Sequence, residues 1–175
     1  MAKIDATPWE RANIVGPVTA RATDGKTLGK LLSKAKRPLI VAGSQILYEL
    51  NEKKLIDYII EIAKKKNIPI IATAHMVREF KDRGVNAKSM GILEITNLLR
   101  DDEWQGLDGN GPYDVVAYVG GLYYQQSLML QCLKHFGKMR TLTLDKYYHP
   151  NATMSFGNMS DEDWEKELKE VIENL

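Results

Sequence analysis

Cysteine is nearly missing from this chain: Cys132 is the only one in 175 residues. An intrachain disulfide is therefore excluded, and a reducing compartment fits best. Metal ligands are equally scarce. A closed zinc site takes about four ligands and an iron–sulfur cluster several thiolates. The chain offers Cys132, His75, His135 and His149, scattered and in no ligand spacing. An excess of one charge is lacking too. With 24 Lys and Arg against 23 Asp and Glu the net charge is +1, which draws neither nucleic acid nor an acidic membrane surface. No apolar run nears the ~20 residues needed to cross a bilayer, and residues 1–12 lack the apolar core of a secretory signal. These absences predict a cytoplasmic protein with no nucleic-acid and no membrane partner.

Phosphate fingerprints are missing as well. A dinucleotide turn would read G-x-G-x-x-G after the first strand. Here Gly43 stands alone, followed by Ser44 and Gln45. The next strand ends in Thr73-Ala74-His75, without an acid to bind a ribose. Lys26-Thr27 could close a P-loop, but the glycine required five residues before Gly25 is Ala20, and no strand is expected ahead of it. Spacing assembles no Ser/His/Asp set and no carboxylate pair. The acids of 161–163 read as a helix start, and Glu165-Lys166-Glu167 as a solvated face.

What is present is alternation. Pro38-Leu39-Ile40-Val41-Ala42 is a short apolar strand that ends in the small-residue turn Gly43-Ser44-Gln45. An amphipathic run over Ile46–Lys66 predicts a long helix, with Asn51 as an internal cap. Ile68–Thr73, Asp114–Val119 and Met139–Leu144 supply three further strands, and Phe80–Met90 has room for one more short strand. Helices are expected over Gly25–Lys36 with Asp24 as cap, over Gly91–Arg100, over Leu122–Phe136 closed by Gly137, and after a Ser160 capping box. Strands alternating with helices give an α/β fold, a doubly wound, mainly parallel, Rossmann-like sheet covered by helices on both faces. One domain over 1–175 is expected, with an extended arm over 1–23 whose Trp9 needs a surface to lie on. The loop over Asp101–Tyr113 is long enough to be functional or to meet a partner.

Open α/β sheets place ligands at the carboxyl ends of their strands. The candidate cleft is therefore built from Gly43, Ser44, Gln45, Thr73, Ala74, His75, Gly120, Gly121, Leu122 and Asp145, with Tyr123, Lys146 and Tyr147 following the last two exits. Glycine there lets a ligand approach the backbone, and helix amides can hold an anion. Cys132 shares a helix face with Met129, Leu133 and Phe136 and is expected in the core, His135 beside its helix C-terminus, and His149-Pro150 at a loop entry. No catalytic residue and no metal ligand can be assigned.

Three strand motifs, 37–44, 68–74 and 113–121, together with Trp9, Gly16-Pro17, the run 147–152 and Ser155-Phe156, form an ordered set. The set resembles the epsilon subunit family of the archaeal acetyl-CoA decarbonylase/synthase, or carbon monoxide dehydrogenase, complex. The fold pattern is also similar to the middle domain of thiamin-diphosphate enzymes and to the nucleotide-binding domain of electron-transfer flavoproteins. The resemblance implies a non-catalytic accessory subunit that stabilises the large alpha subunit and assists electron transfer to FAD. It implies a heterotetramer of two alpha and two epsilon chains, with nickel–iron–sulfur clusters only in the partner; isolated, the chain could form a homo-oligomer. By the same likeness the cleft would take FAD or another nucleotide. Two other readings stay open: a flavin- or nucleotide-binding electron carrier, and a small free-standing enzyme acting on a nucleotide or CoA substrate.

Overall fold

Every residue of Pro38–Ala42 is buried, so this strand must be covered on both faces. In the computed structural model, which describes residues 4–9, 16 and 18–175, it is an interior strand of a seven-stranded, all-parallel sheet. The elements in chain order are β1 (Arg21–Ala22), α1 (Gly25–Lys34), β2 (Pro38–Ala42), α2 (Leu55–Lys66), β3 (Ile70–Ala72), a 3₁₀ turn (Ala74–Met76), α3 (Val77–Asp82), β4 (Ala87–Ser89), α4 (Ile92–Arg100), β5 (Val115–Val119), α5 (Tyr123–Phe136), β6 (Arg140–Thr143), β7 (Met154–Ser155) and α6 (Asp161–Glu173). The spatial order is β1-β7-β6-β5-β2-β3-β4. The chain runs outward from β2 through β3 to β4, then crosses back to β5 on the other side of β2. The switch point thus lies between β2 and β5, which pair from Pro38↔Val115 to Ala42↔Val119.

Side-chain alternation along β2 divides the core in two. Ile40 and Ala42 pack with α1, α2, α3 and α6, including Leu28, Tyr58, Phe80 and Trp164. Leu39 and Val41 face Ile95 and Leu99 of α4 and Leu130 and Leu133 of α5. Local signals set the helix starts. Asp24 accepts the Thr27 N–H at 2.8 Å, and Ser160 accepts the Asp163 N–H at 3.2 Å. Lys66 closes α1 from outside, its ammonium donating to the carbonyls of Leu32, Ser33 and Ala35.

The structure corrects several expectations. The helix expected from Ile46 begins only at Leu55. Residues 46–54 instead close a compact loop through Ile56 N–H to Ile46 O (2.8 Å) and Leu55 N–H to Tyr48 O (2.9 Å). Ile46 and Leu50 are buried in that loop, which is why it mimics helical periodicity. Asn51 caps nothing; its amide donates to Glu165 at 3.1 Å. Two strands of two residues, β1 and β7, extend the four-strand core and the short β4. Consequently a strand does precede Lys26-Thr27, although Ala20 still breaks the P-loop pattern. Cys132 is only half-buried and Phe136 is 68% exposed, because α5 turns Gln126, Ser127, Leu130 and Leu133 inward. Gly137 caps α5 in an extended conformation. Glu165 is buried at 4% exposure, not solvated.

Of the arm expected over 1–23, residues 1–3, 10–15 and 17 lie outside the described residues, as does the side chain of Ala74. Residues Ile4–Trp9 lie across the carboxyl ends of the strands. Asp5 forms an antiparallel bridge with Asn158, and the Asn158 side chain donates to Thr7 O at 2.7 Å. The 101–113 loop is clasped by Arg37, which pairs with Asp108 at 2.5 Å and donates to Gly111 O. Among the described residues, no helix is long and apolar enough to cross a membrane.

Candidate functional site: the cleft at the β2–β5 switch point

The exits of β2 and β5 are zipped together by backbone. Gly43 N–H donates to Val119 O (2.8 Å) and Gln45 N–H to Gly120 O (2.7 Å). Gly120 has φ +66°, a left-handed conformation that lets the chain turn out of β5 at once. Its N–H is held by Asp145 Oδ1 at 2.7 Å, so the acid at the β6 end fixes the turn at the β5 end. Asp145 Oδ2 accepts from Gln126 Nε2 at 2.5 Å, and the same amide nitrogen lies 3.1 Å from His149 Nε2. Asp145 Oδ2 also lies 3.6 Å from His149 Nε2; in the neutral ring with Gln126 as donor, Nε2 accepts and Nδ1 carries the proton. His149 is 1% exposed, and Nδ1 has no hydrogen-bond partner among the described residues. A buried donor without a partner is uncommon and calls for a ligand oxygen or an ordered water.

Of these groups Gln45, Gly120, Asp145 and His149 line a cleft of about 530 Å³, a volume in the range of small-molecule sites. Aromatic rings make the rest. Tyr123 stacks on His149 (centroids 4.3 Å apart) and donates its hydroxyl proton to Tyr148 O at 2.7 Å. Trp164 is anchored by its Nε1–H on Leu144 O and lies 5.9 Å from Tyr48. Trp9 comes down from the arm and stacks on Tyr147, centroids 3.9 Å apart and planes 23° from parallel. Lys146 sits 5.2 Å from the ring centroids of both Tyr48 and Tyr147, its Nζ 2.6 Å from Asp161. Burial works against the Lys146 charge, but the Asp161 hydrogen bond together with the electrostatic attraction of Tyr147, Asp161 and Tyr48 outweighs it, and the pKa is raised. The Lys146 ammonium, helped by the Tyr48 hydroxyl at 2.8 Å, holds Asp161 below the usual carboxylate range.

The ten residues expected at a cleft divide cleanly. Gln45, Gly120, Gly121 and Asp145 line it. Gly43 lies directly behind, its Cα filled by the backbone of Gly120 and Gly121, so it serves close strand packing and leaves no space for a ligand. Ser44 is exposed on the same turn, and Leu122 is the exposed N-cap of α5. Thr73 and His75 stand at the β3 exit and are not among the described lining residues, and Ala74 starts the 3₁₀ turn there; His75 is exposed. His149, expected at a loop entry, is instead a floor residue. Its spacing of four from Asp145 was the available signal; the buried Gln126 between them carried none. His135 is exposed in the last turn of α5.

Chemically the cleft offers flat faces, the backbone of Gly120 and Gly121, an ion-paired lysine and one imidazole N–H. Such a set grips a planar polar molecule. The described residues contain no group of three or more His, Cys, Asp or Glu that could hold a metal ion.

Comparison with known proteins agrees with the whole chain. The family described as CO dehydrogenase beta subunit/acetyl-CoA synthase epsilon subunit matches residues 2–172. An acetyl-CoA decarbonylase/synthase complex subunit epsilon from Methanothrix soehngenii is 41% identical over 170 residues, 94% of this chain and 89% of the relative. The subunit epsilon 1 of Archaeoglobus fulgidus is 40% identical over 174 residues, 97% of this chain and 92% of the relative. The subunit epsilon of Methanothermobacter thermautotrophicus is 36% identical over 165 residues, 94% of this chain and 93% of the relative. A match that runs through every strand and helix and through the cleft makes this chain a member of the CO dehydrogenase beta subunit/acetyl-CoA synthase epsilon subunit family.

Proposed function

We propose that the chain is a non-catalytic accessory subunit of a nickel–iron–sulfur carbon monoxide dehydrogenase, within a complex that reversibly makes and cleaves acetyl-CoA. The observation that carries this reading is the end-to-end match to relatives named as the epsilon subunit of the acetyl-CoA decarbonylase/synthase complex. The partner is the large alpha subunit, in a heterotetramer of two chains of each kind, in the cytoplasm. The redox metals belong to that partner. Here the chain acts as a folded prop: binding energy at the interface stabilises the partner by mass action, about 2.7 kcal/mol at a hundred times Kd.

The cleft supports a second element of the same reading, assistance in passing electrons to FAD. Bound FAD would supply a two-electron acceptor. Its fit rests on the stacking faces of Tyr147 and Tyr48, the Lys146 ammonium for an electron-rich ring or phosphate, and the unpaired His149 Nδ1 for a ring carbonyl.

Reconstitution separates the two roles. The purified large subunit is assayed for the half-life of CO oxidation on warming and for CO-dependent reduction of FAD, with and without this chain. Both quantities rise when the chain is added. A longer half-life without faster FAD reduction removes the electron-transfer role alone, and no change in either removes the proposal.

A further inference from the structure

Trp9 is placed in an unusual way for the largest apolar side chain in its segment. It is 53% exposed, yet it lies face to face with Tyr147 at the mouth of the cleft. Burial does not explain that position; the ring face does. We propose that Trp9 is a self-ligand, occupying the seat on Tyr147 that a planar conjugated ring takes, so that the arm is a strap displaced when such a ring binds. The inference rests on the cleft being a flavin or nucleotide site.

Three observations carry it. First, the strap is tied by exposed bonds that water replaces at small cost. They are Asn158 N–H to Asp5 O (2.7 Å), the Asn158 amide to Thr7 O (2.7 Å), and Trp9 N–H to the Tyr123 hydroxyl (3.2 Å). Second, the seat is already electrostatically dressed. Lys146 stands 5.2 Å from the Tyr147 centroid and favours a ring that is electron-rich or carries an anionic tail. Third, the floor keeps an unfilled valence. His149 Nδ1 has no partner, and the ring stacked on His149 is that of Tyr123, the residue whose hydroxyl receives the Trp9 N–H. The strap and the unsatisfied donor therefore meet through one side chain. An indole face cannot accept from an imidazole N–H as a carbonyl, ring nitrogen or phosphate oxygen does. Trp9 fills the stacking half of the site and leaves the hydrogen-bonding half open.

The test is FAD binding to the full-length chain, followed by quenching of flavin fluorescence, for the wild type and for Trp9→Ala, Trp9→Phe and Tyr147→Ala. Trp9→Ala removes a competitor equal to one aromatic stack and binds FAD about two- to ten-fold tighter than wild type. Trp9→Phe, which keeps a ring in the seat, falls between the two. Tyr147→Ala, which removes the seat itself, binds more weakly than wild type. Equal or weaker binding by Trp9→Ala overturns the strap while leaving the cleft as a flavin site. Absence of FAD binding in both wild type and Trp9→Ala overturns the flavin site, and the strap with it.

Discussion

Gly43→Ala lowers the stability of the domain by about 3 kcal/mol or more, read as a fall in the urea midpoint at unchanged slope. A Cβ at this position would fall well inside 3 Å of Gly120 O, Gly121 Cα and Gly121 N. All three are backbone atoms, so no flexible side chain can swing away. They are also held in place. Gly120 is pinned by Asp145 through its N–H and by Gln45 through its carbonyl, and Gly43 itself donates to Val119 O. To admit one methyl group, the exits of β2 and β5 must separate, and the ladder between Ala42 and Val119 with them. Gly91→Ala is the matched control. Its nearest neighbour would be Glu94 Cβ at 3.9 Å and its backbone is ordinary, so only the poorer N-cap is felt and the expected cost is about 1 kcal/mol or less.

Glu165→Ala costs about 3 kcal/mol, by the same urea measurement, because it strands groups that the carboxylate satisfies. Glu165 accepts from the Tyr58 hydroxyl, from the Asn51 amide at 3.1 Å and from the Glu52 N–H at 3.2 Å, with Lys169 at 3.7 Å. Tyr58 is fully buried, so its hydroxyl finds no water when the acceptor goes. Burial by itself raises the pKa of Glu165, but the hydroxyl, amide and N–H donors together with Lys169 outweigh it and the pKa is lowered. The folded-state pKa therefore lies below the unfolded value of about 4.3. That sets the sign: the stabilisation is fully present above the unfolded pKa and is lost as pH falls through the folded one. Glu165→Gln keeps an acceptor and is milder, about 1 kcal/mol at neutral pH. The gap between wild type and Glu165→Gln narrows as pH drops below about 4, the range of the unfolded carboxylate.

These two sites also show what sequence could and could not convey. The β2, β3, β5 and β6 strands were legible because each is a continuous apolar run, and a strand buried on both faces needs nothing else to declare itself. Helices α1 and α6 were legible from Asp24 and Ser160, whose capping bonds are local. What escaped depends on contacts distant in the chain. β1 and β7 are two residues long and exist only by pairing, β7 on β6 through Leu142↔Met154 and Thr143↔Ser155, and β1 on β7 through Arg21↔Met154 and Ala22↔Ser155. Glu165 sits among charged neighbours in sequence, and only the 46–54 loop folded over α6 makes it a buried hub.

The candidate cleft divides in the same manner. Strand exits are positions along the chain, so Gln45, Gly120, Gly121 and Asp145 could be named from sequence. Whether an exit faces the cleft depends on strand order. β3 lies outside the switch point, which removes Thr73 and His75, while the 146–149 turn beyond β6 folds inward and brings His149 to the floor. At Gly43 the missing side chain makes room for the backbone of Gly120 and Gly121, a contact across strands that the sequence does not display.

The central claim, that this chain supports a neighbour's redox chemistry, is tested most directly by isolating it with an affinity tag from native extract and measuring nickel and iron in the recovered material. The account predicts both metals, in constant ratio to this chain and carried by a co-purifying large subunit. Recovery of the chain alone, monodisperse and free of nickel and iron, would contradict it.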